Sequence, residues 1–241
     1  MVNNLFKKTL IDGAAELGIT LKPGQLVLFE KYYQMVIDTN KSVNLTAITD
    51  EQEFIVKHLI DSLTCLYAIN IKKGARVLDV GTGAGFPGIP LAVCRPDLLL
   101  TMVEATKKKV RFLEEVIQGL ALRNVKILHT RAEDFGRKKA YREKYDVVVS
   151  RAVAPLAVLA EYCLPPLRTN GVFISMKGPN TKEEVIAAQN ALAVLGGVIE
   201  DTIGIRLPYL GDERKLIIIS KVRSSPDAFP RRAGIPAKKP L

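Results

Sequence analysis

Four glycines, at positions 81, 83, 85 and 88, follow a short apolar run in the stretch VLDVGTGAGFPG, Val77–Gly88. Glycine accepts positive φ and lets a ligand approach the backbone with no Cβ in the way, so a strand, such a loop and a helix in succession form a nucleotide-binding device. Two frames fit. Gly83-Ala-Gly85-Phe-Pro-Gly88 satisfies G-x-G-x-x-G, which seats a pyrophosphate on the following helix, and Glu104 stands about 20 residues on, where an acid meets a ribose. The apolar strand ends at Val80, so Gly81 takes the first turn position, and the pattern counted from there is Asp79-Val-Gly81-Thr-Gly83-Ala-Gly85. An acid at the mouth of this loop repels a pyrophosphate and favours a cationic ligand. The alternative for Asp79 is a hydrogen-bonded turn former. Other chemistries are poorly provided for. Cys65, Cys94 and Cys163 are far apart and in no C-x-x-C pair, which suits a reduced thiol and neither a disulfide framework nor a thiolate zinc site. His58 and His129 are the two histidines, and each reads as an ordinary partly buried or solvated imidazole rather than a metal ligand.

The elements that would position these residues follow from periodicity. Leu5 to Leu17, Gln25 to Ile37 and Glu51 to Ile69 carry apolar residues at three- and four-residue spacing, which predicts a helical subdomain over residues 1–73. From about residue 74, β-rich runs alternate with helical patterns. Strands are expected at RVLDV, LLLTMVE, VKILHT, YDVVVS and GVFISM, and helices at Gly88 to Cys94, Lys107 to Gln118, Leu156 to Leu164 and Lys182 to Leu195. This alternation predicts an α/β core over 74–221 with a mostly parallel sheet. VIEDTIGIRL and KLIIISK are separated only by PYLGDER, too short for a parallel crossover, so the sheet should close with an antiparallel hairpin and seven strands. Residues 222–241 hold four prolines, which leaves a disordered tail or a basic arm anchored by Phe229 and Ile235.

The net charge is +10, and it is unevenly placed. Lys107 to Lys144 is net +7, Lys221 to Leu241 is net +5, and the remainder is net −2. Clustering of this kind is the footprint of a polyanion-binding protein, or else of a solvated basic face. No run of about 18 apolar residues exists to span a membrane, and MVNNLFKKTLIDGAAEL lacks the apolar block of a signal peptide. A cytoplasmic protein is expected.

Counted from Gly81, the loop resembles the first motif of class I S-adenosylmethionine-dependent methyltransferases, whose Rossmann-like fold matches the predicted order of elements. That cofactor has no pyrophosphate but carries a sulfonium and an ammonium, which Asp79 would favour. Glu104 in TMVEA would accept the ribose hydroxyls, and Ala132-Glu133 in HTRAED would line the adenine. After the fourth strand stands SRAVAP, with Arg151. An Asn/Asp-Pro-Pro-Tyr/Phe element for exocyclic amines is missing there, and Cys163 lies too far along the next helix to be a pyrimidine C5 nucleophile. A purine N7 needs neither, because its in-plane lone pair attacks without deprotonation.

With NLTAIT, KHLIDSL, VEATKKKVRFLEE, RAEDF, SRAVAPL, SMKGP and FPRRAGIPAKKPL in order along the chain, the sequence resembles the RsmG (GidB) family of bacterial 16S rRNA guanine-N7 methyltransferases. The resemblance implies S-adenosylmethionine as cofactor, and as substrate 16S rRNA or the small ribosomal subunit or its precursor. It implies contacts at Gly81, Phe86, Ala132, Glu133 and Arg151, to which Asp79, Gly83, Gly85, Glu104, Ala105 and Thr106 are added as cofactor candidates. A guanidinium that gripped guanine through O6 and N7 would cover the methylated atom, so Arg151 is expected on the methionine carboxylate or a phosphate, or at most on O6 alone, with an ion pair as the alternative. Lys107, Lys108 and Lys109 open a helix against the dipole preference. With Lys177, Arg231, Arg232, Lys238 and Lys239 they are the RNA-phosphate candidates. No metal, no membrane and a monomer are expected. An RNA-binding protein without methyl transfer and a nicotinamide-dependent oxidoreductase remain as rivals.

Overall fold

In a computed structural model that describes residues 4–241, seven strands form one sheet in the order β3-β2-β1-β4-β5-β7-β6. They are β1 (Arg76–Val80), β2 (Leu99–Glu104), β3 (Val125–His129), β4 (Tyr145–Arg151), β5 (Leu167–Lys177), β6 (Gly197–Arg206) and β7 (Glu213–Lys221). The first five pair in parallel, and β7 runs antiparallel to both β5 and β6. The expected hairpin is present for the reason given by the short PYLGDER link.

Period-two alternation sorts the strand side chains to two faces. Val77, Leu100, Met102, Val147, Val149, Ile174 and Ile218 share one buried cluster, while Leu78, Val80, Val103, Val148, Phe173, Ile217 and Ile219 share another. On the first face lie α1 (Asn4–Glu16), α2 (Pro23–Asn40), the composite helix Glu51–Ala68, α5 (Gly88–Cys94) and α6 (Lys107–Gly119). The N-terminal helices thus share their core with the sheet: Phe6, Phe29 and Phe54 are buried in the same cluster as Val77 and Met102. The second face is covered by α7 (Ala132–Arg137), α8 (Leu156–Cys163) and α10 (Gln189–Leu195).

Three local features differ from the sequence expectation. The helix anticipated over 51–69 is α3 (Glu51–Phe54), a π-helical turn (Ile55–Ile60) and α4 (Asp61–Ala68) in direct succession. The helix anticipated over 182–195 is split at Ala188 into α9 (Lys182–Ala187) and α10. Residues 222–241 are folded onto the second face and end in α11 (Ile235–Lys238), which packs on α8. The segment thus lies packed on the protein, with Phe229 against the second buried cluster. Arg142 accounts for much of this, since its guanidinium donates to the carbonyls of Ser225 (2.5 Å), Pro226 (3.0 Å) and Phe229 (2.7 Å).

Candidate functional site

The C-terminal ends of β1, β2 and β4 open into a cavity of about 440 Å³. This is where open α/β sheets receive ligands, and the volume lies within the roughly 300–1,000 Å³ of small-molecule sites. Its lining includes Gly81, Gly83, Phe86, Glu104, Ala105, Ala132, Glu133 and Arg151 from the sequence candidates, with Lys109, His58 and Tyr162 in addition. The fold thus gathers residues from four strand-to-helix connections and two helices that sequence spacing alone could not join.

The glycine loop divides by role. Gly83 (φ 62°) lines the cavity, and a Cβ there would meet nothing within 4 Å. This open side is the cradle that a bound group would fill. Gly85 (φ 107°) faces inward, where a Cβ would stand 2.6 Å from Ile89 Cγ1 and 2.8 Å from the Tyr32 hydroxyl. It is a packing glycine, outside the cavity lining. Asp79 also lies beneath the loop: it is fully buried, and its Oδ2 accepts from the Thr82 hydroxyl (2.6 Å) and the Gly88 N–H (2.9 Å). The expected charge at the loop mouth is corrected by this geometry, and the turn-former alternative holds. Burial first, only partly offset by those bonds, pushes the Asp79 carboxyl up to about 6.

Glu104 does reach the cavity, and it is also structural. Its Oε2 accepts from Gly83 N (3.1 Å) and its Oε1 from Thr106 N (2.7 Å), so one carboxylate ties the glycine loop to the start of α6. Each oxygen keeps a lone pair for a ribose diol. Thr106 supplies this backbone bond and stays out of the lining, while Ala105 is in it. The cavity thus presents a carboxylate at Glu104 and glycine backbone at Gly81 and Gly83 along its lining.

Arg151 forms part of the wall, with its charge already answered. Nη1 donates to Lys57 O (2.8 Å) and Asp61 Oδ2 (2.9 Å), and Nη2 lies 3.1 Å from His58 Nδ1. Three of the five N–H donors are thereby committed to protein. The π-helical turn makes this possible, because it presents Lys57, His58 and Asp61 to β4 together. Arg151 thus stands in an ion pair with the buried Asp61 carboxylate, at the cavity that it lines. Sequence reasoning missed His58 as a site residue. Its ring stacks on Phe86 at 4.4 Å between centroids and 14° between planes, and the Arg151 guanidinium lies 5.0 Å from the same Phe86 ring centroid. Because guanidinium can only donate, Nδ1 accepts and the ring proton sits on Nε2, facing Thr46 Oγ1 at 2.7 Å. Burial, then the nearby Arg151 charge, lowers the His58 imidazole to about 3, so it is neutral at physiological pH.

The RNA candidates separate as well. Lys107, Lys108, Arg232, Lys238 and Lys239 are exposed, and Lys109 is half-buried at the cavity. Lys177 is a correction: its Nζ contacts Glu184 Oε1 (2.5 Å) and Ala154 O (2.8 Å), closing the SRAVAP loop onto α9. Arg231 is another, since it forks onto Glu161, a carboxylate only 1% exposed, with Nη2–Oε2 at 2.6 Å and Nε–Oε1 at 3.0 Å. Among the described residues there is no cluster of three or more His, Cys, Asp or Glu able to hold a metal ion. No described helix is long and apolar enough to cross a membrane.

Comparison with known proteins agrees with this geometry. The chain superposes on TrmN from Thermus thermophilus with a TM-score of 0.54 at 15% identity, covering 68% of this chain and 48% of that one. It superposes on a SAM-dependent methyltransferase from Aquifex aeolicus with a TM-score of 0.53 at 19% identity, covering 72% and 94%. At these identities the likeness concerns the fold. In sequence, proteins named Ribosomal RNA small subunit methyltransferase G are much nearer. That of Desulforamulus reducens is 52% identical over 233 residues, 97% of each chain. That of Pelotomaculum thermopropionicum is 49% identical over 238 residues, 99% of this chain and 100% of its own. That of Bacillus subtilis is 41% identical over 95% of this chain and 96% of its own. The family model for GidB, rRNA small subunit methyltransferase G, matches residues 25–207, and with relatives this similar over nearly their whole length the chain belongs to that family.

Proposed function

We propose that this protein transfers the methyl group of S-adenosylmethionine to N7 of a guanine in the 16S rRNA of the small ribosomal subunit. The single observation that carries the acceptor choice is that neither His58, in the cavity lining, nor Cys163, outside it, stands ready as a base or nucleophile. His58 has both ring nitrogens engaged and stays neutral, so it offers no free lone pair as a general base. Cys163 is fully buried with its thiol pushed well above its ordinary value, which suits no pyrimidine C5 attack. A guanine N7 needs neither group, because it brings its own lone pair.

The cofactor supplies an electrophilic methyl on a sulfonium. The chain's own residues hold and orient: Glu104 accepts from the ribose, Gly81 and Gly83 admit the amino-acid chain, and Glu133 meets the adenine edge. Phe86, His58 and Arg151 form a stacked wall of the cavity that would help exclude water from a bound cofactor. Lys107, Lys108 and Lys109 on one side and Arg232, Lys238 and Lys239 on the other provide phosphate contacts that carry the RNA to the opening. The decisive experiment incubates 16S rRNA and small-subunit particles with methyl-labelled S-adenosylmethionine and locates the label by nuclease digestion and mass spectrometry. Label in 7-methylguanosine is expected; label in another nucleoside would overturn the acceptor, and cofactor binding with no label in either substrate would overturn the enzyme.

A further inference from the structure

We propose that the strap formed by residues 229–236 is a working part of the cofactor pocket: Arg231 and Gly234 are positioning residues that aim the Glu133 carboxylate at the exocyclic amine of adenine. This rests on the reading of the cavity as an S-adenosylmethionine site and goes one step further, to what sets the pocket's choice of base.

Glu133 is the residue on which the strap converges. It is 4% exposed, yet it lines the cavity. Its Oε1 takes the Gly234 N–H at 2.8 Å and faces the Tyr162 hydroxyl at 3.4 Å. Gly234 can present its N–H there because it sits at φ 82°, in the left-handed region. The strap is pinned three residues earlier, where the Arg231 N–H (2.6 Å) and guanidinium both bond to Glu161, the neighbour of Tyr162 in α8. Pro230 completes the clamp: a Cβ at Gly136 of α7 would stand 3.0 Å from Pro230 Cγ. The strap therefore fixes α7, which carries Glu133, against α8, which carries Tyr162.

An ionised carboxylate only accepts hydrogen bonds. With Oε1 held by protein donors, and with Glu133 Oε2 absent from the buried unpartnered oxygens among the described residues, Oε2 is the atom left to meet a ligand. A ring edge bearing an amine donates to it. A ring edge bearing a keto oxygen meets it as one acceptor meets another, and the loss is large because the partner is charged and screened from water. Released from Gly234 and Tyr162, the side chain would rotate and hydrate, and the distinction would fade.

The test is calorimetric titration of the full-length protein with S-adenosylhomocysteine and with S-inosylhomocysteine, which replaces the amine by a keto oxygen. The unsubstituted protein is expected to favour the amine by about tenfold or more. In Arg231→Ala that ratio should shrink to about two- to threefold, with partial recovery in Arg231→Lys, which keeps a cation for Glu161. Tyr162→Phe removes a second donor to Glu133 Oε1 without touching the strap, and should narrow the ratio on its own. Equal weakening of both ligands with the ratio unchanged in Arg231→Ala, or in Arg231→Lys should the alanine variant fail to fold, would reduce the strap to a prop and overturn the inference. So would the absence of any amine preference in the unsubstituted protein. Failure of that protein to bind either homocysteine ligand would instead remove the cofactor assignment, and the strap inference with it.

Discussion

Two arginines near the cavity each pair with a buried carboxylate: Arg151, in the lining, with Asp61, and Arg231, outside the lining, with Glu161. Behind Arg151 stands a packed ring cluster, Tyr32, Phe54, His58 and Phe86, continuous with the core beneath the sheet. Behind Arg231 stands a proline-containing strap held through backbone carbonyls by Arg142 and Arg137. The Arg151 wall is continuous with the larger buried cluster, whereas the strap meets the second cluster through the partly buried Phe229. Such a site draws global stability from one side and local adjustability from the other.

The largest effect expected is on the Arg151 wall. Phe54 is fully buried, and Phe54→Ala should cost about 3–5 kcal/mol in urea-induced unfolding. Arg231→Ala should cost less, about 1–3 kcal/mol, because the strap can peel away and let Glu161 hydrate. Equal losses in the two variants would erase the distinction between wall and strap.

A smaller effect concerns acid. His58 stays neutral in the folded protein down to about 3 but takes a proton below about 6.5 when unfolded, so acidification through that window favours unfolding. The Asp79 carboxyl is pushed up to about 6 from an ordinary 3.8, so it binds its proton earlier in the folded state, and acidification there favours folding. Between about pH 6 and 4 the two slopes oppose each other, each at most about 1.4 kcal/mol per pH unit. Asp79→Asn removes the compensating one, and Tm should then fall more steeply from pH 6 to pH 4 than in the unsubstituted protein. Superimposable curves would dissociate the buried side from acid sensitivity.

The smallest effect on stability belongs to the exposed lysines that follow the strap. Lys238→Ala combined with Lys239→Ala should change unfolding by no more than about 0.5 kcal/mol. The same pair should flatten the salt dependence of RNA binding by roughly 0.7–0.9 per lost phosphate contact. An unchanged slope would leave the C-terminal segment with its role at Glu133 and none toward RNA. Point variants are preferable to removing the whole segment, which would also take away Arg231 and Gly234.

Much of this architecture was legible before any coordinates. The β-branched runs around Val77, Val147 and Ile217 announce strands because they are buried on both faces, and the short link before Lys215 forces the antiparallel turn. The cavity's own loops, at Gly81–Phe86, Glu104 and Ala132–Glu133, were legible for the same local reason. What escaped depends on distance along the chain. Asp61 and Arg151 are ninety residues apart, and no local pattern tells an amphipathic helix that its middle turn will widen to receive a guanidinium. Lys177 and Arg231 looked like free cations because their partners, Glu184 and Glu161, lie on helices read only as helices. Asp79 was placed on the correct loop with the wrong orientation, since a turn-forming acid and a ligand-facing acid share one sequence signature.

The hydrogen bond from Gly234 to Glu133 joins residues one hundred and one positions apart, and every residue lining the cavity precedes the strap in the chain. A polypeptide is made from its N-terminus onward, and folding begins before synthesis is complete. The sheet, the glycine loop and the Arg151 wall can therefore assemble while the strap is still to come. Order of synthesis becomes order of construction: the nascent protein first has an open trough, and it acquires a base-selective pocket only when the strap arrives to close α7 against α8.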